Sequence, residues 1–425
     1  GAAADESIDP RPFCELLRQW STSHPEFEWL PRKFKIAVTG AKADRAAVGV
    51  HDIGMRIYGN AEEPASAEVD IYVGGGLGRT PVLGVLIQER LPVQHLLTYT
   101  EAIMRVYNRY GRRDNKYKER IKILVRALSA EGFKTQVDAE WAHIKDGAST
   151  VPTEELQRLS QFFQPPAFAE QADSTGALAD LRFANPNFNR WITHNITPHQ
   201  APGYAVVTLS TKSPGVPPGD VSAEQIDALA SWAEQFSYSE IRISHEQNFV
   251  LPHVPLSVLF ELWQQACSIG LGSHNIGLLS DIICCPGGDY CSLANAKSLP
   301  VAEAIQRRFD DYDFQFDLGE IDLNISGCMN ACGHHHVGHI GILGVDKKGK
   351  EFYQISLGGH AGHSGEAPQL GQIVGPSVAR AEVCDVIDKI LQVYLHHRFA
   401  DESFLNCFGR IGMEPYKDSI YAAAA

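Results

Sequence analysis

Apolar and polar residues alternate over several short stretches of this chain, and most of these stretches end in glycine. Alternation of this kind is typical of a strand with one buried face. The stretches are residues 34–40, 51–59 and 69–81 near the start of the chain, and 321–327, 335–344 and 352–362 near its end. Each set leads to apolar residues three or four positions apart, at 95–110 and 379–398, which predicts a helix. This self-similarity predicts two related lobes.

The middle of the chain has a different pattern, in which strand, helix and strand follow one another. Residues 204–210 and 240–252 have strand character, and residues 223–235 have helical spacing. The stretch 167–190 before them is rich in Ala, Asp, Pro and Asn, which is typical of a linker. Together these patterns predict an α+β protein.

Length and charge limit what the chain can do. With 425 residues it is long enough for more than one domain. Its net charge of −14 makes nucleic acid a poor partner, and it requires that any anion site be a local basic pocket. No apolar run reaches the roughly 18 residues of a membrane span, so no membrane partner is expected. Nine cysteines, an odd count, argue against a disulfide framework and favour a reducing, cytoplasmic compartment.

Four of the cysteines form an unusual split pattern. Cys285 and Cys291 have five residues between them, and Cys328 and Cys332 have three. Structural zinc usually takes C-x₂₋₄-C pairs, and a bacterial ferredoxin uses a tight C-x₂-C-x₂-C run. The pattern matches neither, whereas four separated thiolates suit a [4Fe–4S] cluster. Cys284, adjacent to Cys285, is a rival for the first ligand.

These and other segments resemble the siroheme-dependent nitrite/sulfite reductase family, most closely its bacterial assimilatory sulfite reductase hemoproteins. The segments are LPRKFKIAVTG, VGGGLGRTP, NRYGRRDNKYKERIKILV, RISHEQN, CCPGGDYCSLANAKS and NISGCMNACGHHHVGHIGILG. The resemblance implies two lobes related by a pseudo-twofold axis, with an intervening ferredoxin-like half-domain. The boundaries expected on this basis are residues 1–166 for the first lobe, 167–190 for the linker, 191–258 for the half-domain and 259–425 for the second lobe.

The resemblance also implies the cofactors, which are a [4Fe–4S] cluster and siroheme. In the family, four cysteines bind the cluster, and the last of them bridges to the siroheme iron. These roles fall here on Cys285, Cys291, Cys328 and Cys332, with Cys332 as the bridge.

The family's substrate-binding lysines match Lys33 and Lys35. At i and i+2 on a strand, both side chains face the same side, so both ammonium groups are expected to reach one anion. The repeat further suggests that these lysines occupy, in the first lobe, the places of Cys328 and Cys332 in the second. One lobe is then expected to supply charge for the substrate, and the other the metal centre.

Siroheme carries many carboxylates, so cationic and amide side chains are expected around it. By resemblance, the residues beside the cofactors are Arg32, Lys116, Gln247, Asn248, Asn330 and His335. The triple histidine 334–336 is poorly suited to a metal ion, because neighbours on a strand point to opposite faces. The glycines at 74–78 lack the spacing of a phosphate loop. We expect them to let the backbone approach a large flat cofactor.

The implied activity is the six-electron reduction of sulfite to sulfide, with electrons from a ferredoxin, a flavodoxin or a flavoprotein reductase. Sulfite is expected rather than nitrite, because plant-type nitrite reductases carry asparagine at the position of Lys35. The alternatives are nitrite reduction on the same scaffold, a non-catalytic iron–sulfur electron-transfer module and, more distantly, a zinc-binding histidine protein. The family's chains are longer at the N-terminus, so this chain is expected to lack a part with two substrate-binding arginines.

Overall fold

The computed structural model describes residues 1–362 and 367–421 of the chain. These residues divide into two compact units. Unit 1 contains residues 1, 5–166, 361–362 and 367–368, and unit 2 contains residues 2–4, 167–360 and 369–421. Within the described part of the chain, none of the helices combines the length and the apolar character that a bilayer span requires.

Unit 1 is built on a four-stranded sheet. Its strands are β1 (Ile36–Thr39), β2 (Ile53–Tyr58), β3 (Glu68–Val73) and β4 (Val85–Pro92), and its helices are α1 (Arg11–Thr22), α2 (Pro25–Glu28), α3 (Leu96–Tyr110), α4 (Ile121–Ile144) and α5 (Thr153–Ser160). The strands lie in chain order; β1 and β2 are parallel, and the later pairs are antiparallel. The helix predicted near residues 95–110 is confirmed as α3, whose Tyr99, Ile103 and Tyr107 are buried in the core of the sheet.

The first part of unit 2 is an antiparallel sheet with helices packed on it. Its elements are α6 (Thr175–Ala184), α7 (Pro186–Asn195), β5 (Ile196–Pro198), β6 (Tyr204–Leu209), α8 (Ala223–Phe236), β7 (Arg242–Ile243), β8 (Phe249–Pro255) and α9 (Leu259–Ser268). The strand order is β5–β6–β8–β7. The predicted strand, helix and strand are therefore present as β6, α8 and the β7–β8 hairpin. Ser222 and Gln225 form a reciprocal capping box at the start of α8.

Two details of this region differ from expectation. The stretch 167–190, expected to be a linker, contains α6 and part of α7, and Phe188 is fully buried in the core of the half-domain. Pro186 begins α7, because a helix tolerates proline in its first turn, so this proline does not mark a loop. The expected end at residue 258 falls before α9, although Leu259 of α9 packs in the same core.

The second part of unit 2 is a mixed sheet. Its strands are β9 (Ile283–Cys284), β10 (Leu323–Ser326), β11 (Ile340–Lys347), β12 (Lys350–Leu357), β13 (Gln372–Ile373) and β14 (Val378–Ala379), and its helices are α10 (Leu299–Arg308), α11 (Tyr312–Leu318), α12 (Val383–His397), α13 (Phe404–Ile411) and α14 (Glu414–Tyr421). β10 lies between β9 and β11 and is parallel to both, and β11 and β12 form an antiparallel hairpin.

The predicted internal repeat is confirmed in backbone detail. In unit 1 the parallel pair β1–β2 places Ile36 opposite Ile53, and in unit 2 the parallel pair β10–β11 places Leu323 opposite Ile340. Each pair is followed by an antiparallel strand, β3 or β12, and then by a helix of 15 residues, α3 or α12. Both helices are preceded by one turn of 3₁₀ helix. The two lobes therefore share one local topology.

The expected equivalence of lysines and cysteines is wrong. Lys33 and Lys35 precede β1, whereas Cys328 and Cys332 follow β10, so the two sets lie at opposite ends of equivalent strands. The residue directly before β10, which corresponds to Lys35, is Asp322. The two lysines are also not in a strand, because β1 begins at Ile36, so strand alternation does not fix which way they point.

In each lobe a hydrogen bond joins the residues that directly precede the two parallel strands, β1 and β2 in unit 1 and β10 and β11 in unit 2. In unit 1 the backbone N–H of Lys35 donates to Oδ2 of Asp52 at 3.1 Å. In unit 2 the backbone N–H of Asp322 donates to Nδ1 of His339, also at 3.1 Å. In both lobes the first residue donates its backbone N–H to the side chain of the second, but the order of the charged residue types is reversed. A basic residue comes before an acidic one in unit 1, and an acidic residue comes before a basic one in unit 2.

Candidate metal centre and basic cluster

The four cysteines of the split pattern come together in unit 2. Cys285 follows β9 directly and Cys328 follows β10, and these strands are parallel neighbours, so their carboxyl ends lie side by side. Burial raises the pKa of the Cys328 thiol, and the thiols of Cys332, Cys285 and Cys291 raise it further. The N–H of Gly327, one residue before Cys328, donates to the sulfur of Cys285, so the two ends of the split pattern are in contact.

The four thiols differ in how accessible they are. No set of three or more His, Cys, Asp or Glu side chains in the described residues is close enough to hold one metal ion. A [4Fe–4S] cluster is a different kind of site, in which each thiolate binds a different iron. Cys328 is buried, Cys285 and Cys291 are half-buried, and Cys332 is exposed. The thiol expected to bridge is therefore the most accessible of the four.

Backbone groups are arranged to stabilise negative sulfur. The N–H of Gly327 donates to Sγ of Cys285 at 3.1 Å, and Oγ of Ser298 lies 3.6 Å from the same sulfur. A backbone hydrogen bond from Asn330 lowers the pKa of Cys328. Position 327 admits only glycine, because a Cβ there would lie 2.7 Å from Cα of Gly287. The backbone at the end of β10 therefore packs closely against the loop that carries Cys285.

Cys284, the rival ligand, has a different environment. Its side chain is 1% exposed and belongs to the apolar core of the second lobe. Its thiol donates to the carbonyl oxygen of Cys285 at 3.3 Å, and burial holds its pKa well above the ordinary value. Cys284 thus packs as a core residue, whereas the sulfur of Cys285 accepts the N–H of Gly327, beside Cys328.

We expect Cys284→Ser to retain the cluster and Cys285→Ser to lose it. Serine at 284 keeps the hydrogen bond to the carbonyl of Cys285, whereas serine at 285 replaces a soft ligand by a hard oxygen. Iron and acid-labile sulfide, measured per chain in each purified variant, provide the check. The opposite result, with iron lost only from the Cys284 variant, would assign the first ligand to Cys284.

The predicted cationic residues of unit 1 lie on its surface. Arg32, Lys33, Lys35 and Lys116 are all exposed. Nη1 of Arg32 donates to the carbonyl oxygen of Lys116 at 2.6 Å, so the segment before β1 is tied to the loop before α4. We call these four residues the basic cluster. In a chain of net charge −14 they form a local positive surface that an anionic group requires.

A buried ion pair behind Lys35 was missed by sequence reasoning. Asp52 is 1% exposed, and its Oδ1 accepts from Nε of Arg120 at 3.1 Å and from Nη2 at 2.8 Å. Burial raises the pKa of Asp52, and the nearby charges of Arg120 and Lys35 oppose that rise. The acid therefore holds the backbone of Lys35 and also interacts with its ammonium group. The available signal was an acidic residue within a predicted strand that has one buried face.

The glycine-rich loop after β3 is held from within unit 1. Nζ of Lys122 donates to the carbonyl oxygens of Gly76, Leu77 and Thr80 at 3.2, 3.0 and 2.7 Å, and burial lowers the pKa of Lys122 to about 8. A Cβ at Gly76 would lie 2.6 Å from Nη2 of Arg120. A Cβ at Gly75 would lie 2.4 Å from the carbonyl oxygen of His51, so this position requires glycine; approach to a flat cofactor stays a prediction.

The triple histidine does not lie on a strand, contrary to expectation. His335–Val337 form a turn of 3₁₀ helix, and His334 has a left-handed backbone with φ of 54°. His335 is 2% exposed, neither of its ring nitrogens has a hydrogen-bond partner among the described residues, and burial lowers its pKa to about 3. Buried polar groups are normally hydrogen-bonded. His335 therefore fits a partner from outside the described protein, such as a cofactor carboxylate or water.

Gln247 and Asn248 have protein partners. The side-chain amide of Gln247 bonds to both backbone groups of Cys284, and that of Asn248, which is fully buried, bonds to Thr211 and Asp281. Asn330 is exposed in the loop between Cys328 and Cys332. The structure thus brings Gln247 and Asn330 to the cysteines, while direct contact of any of these residues with a cofactor stays a prediction.

Two family models match the chain. The model described as Nitrite and sulphite reductase 4Fe-4S domain matches residues 1–145 and 278–423, which together exceed half of the chain. The model described as Nitrite/Sulfite reductase ferredoxin-like half domain matches residues 200–268. The first match covers both copies of the internal repeat, and the second covers the sheet of the half-domain from β6 onward, with α8 and α9.

Curated proteins and solved structures are also similar to the chain. Sulfite reductase (ferredoxin) 1 of Mycolicibacterium paratuberculosis is 26% identical over 419 residues, which are 95% of this chain and 66% of that protein. The chloroplastic ferredoxin–nitrite reductase of Arabidopsis thaliana is 25% identical over 406 residues, 92% and 61% of the two chains. The chain thus spans less than two thirds of these relatives. The structure of the Mycobacterium tuberculosis NirA protein shares the fold, with a TM-score of 0.73, 23% identity, and coverage of 98% of this chain and 70% of that one.

Proposed function

Because the chain belongs to the nitrite and sulphite reductase family, whose reductases use siroheme and a [4Fe–4S] cluster, we propose that it carries out the six-electron reduction of sulfite to sulfide. The observation that carries this proposal is the set of four cysteine thiols gathered at the carboxyl ends of β9 and β10. When bound, the two cofactors supply the electrons and the iron that takes up the anion, chemistry that side chains do not provide.

The four cysteines have separate roles in this proposal. Cys285, Cys291 and Cys328 would hold the cluster, and Cys332 would hold both the cluster and siroheme. The exposure of Cys332 supports this division, since a shared sulfur needs room for two partners. The N–H groups directed at sulfur, described above for Cys285 and Cys328, stabilise the negative charge of the ligands.

The basic cluster binds the anions. Lys33 and Lys35 hold the substrate, and their ammonium groups donate protons to the oxygens that leave as water. Arg32 and Lys116 are suited to carboxylates on the rim of siroheme, because guanidinium and ammonium groups pair with carboxylate. Asp52 keeps the backbone of Lys35 in place through a bond that does not use its side-chain ammonium.

Sulfite is the favoured substrate because of its charge. It is largely a dianion near neutral pH, and a second cation at residue 35 stabilises a dianion more than the monoanion nitrite. Nitrite is the second candidate, since one similar relative is a nitrite reductase and Asp52 offsets part of the charge of Lys35. The electron donor is proposed to be a ferredoxin-type protein, because the names of both relatives specify ferredoxin.

An absorption spectrum followed by kinetics tests the proposal. Intense visible bands indicate siroheme, whereas a broad shoulder alone indicates a lone cluster and favours the non-catalytic electron-transfer module. Steady-state specificity constants for sulfite and nitrite, with a chemically reduced carrier as donor, then identify the substrate. A holoprotein with both cofactors and no turnover of either anion removes the proposal.

We expect Lys35→Asn to lower the preference for sulfite over nitrite by about tenfold or more. A charge contact in a partly wet site is worth on the order of a few kcal/mol, and about 1.4 kcal/mol is tenfold. Lys42→Asn, which changes an exposed lysine of the same unit away from the basic cluster, is the control. An unchanged ratio of the two specificity constants in the Lys35 variant, at the level of the control, leaves the substrate undecided.

A further inference from the structure

The strand that delivers Cys285 is very short and is supported on its two edges in different ways. β9 contains only Ile283 and Cys284. On one edge it pairs with β10, and the N–H of Cys285 continues that pairing by donating to the carbonyl oxygen of Ile325 at 3.1 Å. No strand of the sheet lies on its other edge in the described residues. The backbone groups of Cys284 on that edge therefore need another partner.

A single side chain takes the place of the absent strand. Nε2 of Gln247 donates to the carbonyl oxygen of Cys284 at 2.9 Å, and Oε1 accepts from the N–H of Cys284 at 2.8 Å. A side-chain amide has the same donor and acceptor groups as a peptide. These two hydrogen bonds therefore imitate one step of a β-ladder. It acts on the residue directly before the cluster ligand.

Gln247 itself is fixed by the half-domain. Its backbone has φ of +65°, a left-handed conformation that few residues other than glycine adopt, and its N–H donates to the carbonyl oxygen of Ser244 at 3.1 Å. Oγ1 of Thr211 donates to the carbonyl oxygen of Gln247 at 2.6 Å. The backbone of Gln247 is thus fixed by hydrogen bonds to Ser244 and Thr211 that do not involve β9. Its side-chain amide then bonds to Cys284.

We propose that Gln247 is a positioning residue for Cys285 and sets the reduction potential of the cluster through the hydrogen bond from Gly327 to the Cys285 sulfur. Gln247 holds one edge of β9, so it fixes the distance between that sulfur and the Gly327 N–H, now 3.1 Å. Hydrogen bonds to sulfur raise the potential, because the reduced cluster carries more negative charge. The inference rests on the proposed function, which makes Cys285 a cluster ligand.

The test uses Gln247→Met in the holoprotein. Methionine has nearly the same length as glutamine but cannot form either bond, and a cavity of about 340 Å³ beside Gln247 leaves room for its methyl group. We expect the cluster to remain bound with a more negative midpoint potential in an EPR-monitored titration. We also expect faster amide hydrogen exchange over residues 283–285, measured with and without cofactors.

The control is Gln171→Ala, which removes a side-chain bond to Tyr204 in the same unit but touches no cysteine. It should leave both the potential and the exchange unchanged. Should Gln247→Met fold poorly, Thr211→Val loosens only the support of Gln247 and should shift the potential in the same direction by less.

The outcomes separate this inference from the proposed function. If the EPR spectrum of the wild-type holoprotein shows no [4Fe–4S] signal, both the proposed function and the role of Gln247 are wrong. A wild-type protein that holds the cluster and turns over its anion, with Gln247→Met at the same potential and the same exchange rates, removes only the role of Gln247. A stable Gln247 variant that loses the cluster while Gln171→Ala keeps it supports positioning.

Discussion

Cys332→Ser is expected to reduce the turnover of sulfite and nitrite to background. Under the proposed function this sulfur belongs to both cofactors, so a hard serine oxygen removes a cluster ligand and the link to the siroheme iron in one change. Cys332 is also the exposed member of the four, so serine costs little in packing and the fold should survive. Steady-state kinetics and the EPR spectrum of the reduced holoprotein provide the measurement.

The matched control is Cys267→Ser, since Cys267 is an exposed cysteine of α9 in the same unit and is not one of the four. Its kinetics and spectrum should equal those of the wild type. A Cys332 variant that keeps a normal cluster, normal siroheme bands and normal turnover would assign the bridge to another residue.

Lys212→Met is expected to cost about 3–5 kcal/mol of unfolding free energy, a large share of the total. Lys212 is 0% exposed, and its Nζ lies 2.6 Å from Oδ1 of Asp281 and also donates to the carbonyl oxygen of Glu246. Methionine fills the space but leaves the carboxylate of Asp281 buried without its cation. Urea unfolding of the apoprotein, followed by circular dichroism, provides the measurement.

The double variant Lys212→Met with Asp281→Leu should recover a large part of this loss, because it removes the unpaired charge. Lys417→Met is the control, since Lys417 pairs with Glu414 on the surface and such pairs are worth at most about 1 kcal/mol. Equal losses for Lys212→Met and Lys417→Met would show that the buried pair contributes no more than a surface one.

Sequence reasoning anticipated the structure where a residue type and a spacing indicate which segments come together. The separated pairs Cys285/Cys291 and Cys328/Cys332 pointed to one region, and the structure places them there, because parallel neighbours end side by side. The repeat was visible because each copy needs the same alternation of apolar residues and the same glycine exits. The half-domain was visible because β6 and α8 have the period of a strand and of a helix.

It failed where position depends on contacts between distant segments. The place of Lys35 relative to β1 is set by Asp52, and the edge of β9 is completed by Gln247, which is 37 residues away in the chain. Neither contact has a periodic signal. The histidines were placed on a strand because local alternation cannot reveal the left-handed turn at His334. The stretch 167–190 looked like a linker because its composition resembles a loop, although Phe188 is buried.

The reversed order of the charged residues in the two equivalent pairs has a consequence for the surfaces that a duplicated fold presents. Lys35 with Asp52 and Asp322 with His339 occupy matching places and make the same backbone bond. A negative ion that approaches the first place meets an exposed ammonium group, whereas at the second it meets a carboxylate. Two copies of one architecture thus differ in the sign of charge of the residue before their first parallel strand. Duplication has repeated the backbone framework and its hydrogen bond without repeating the charge.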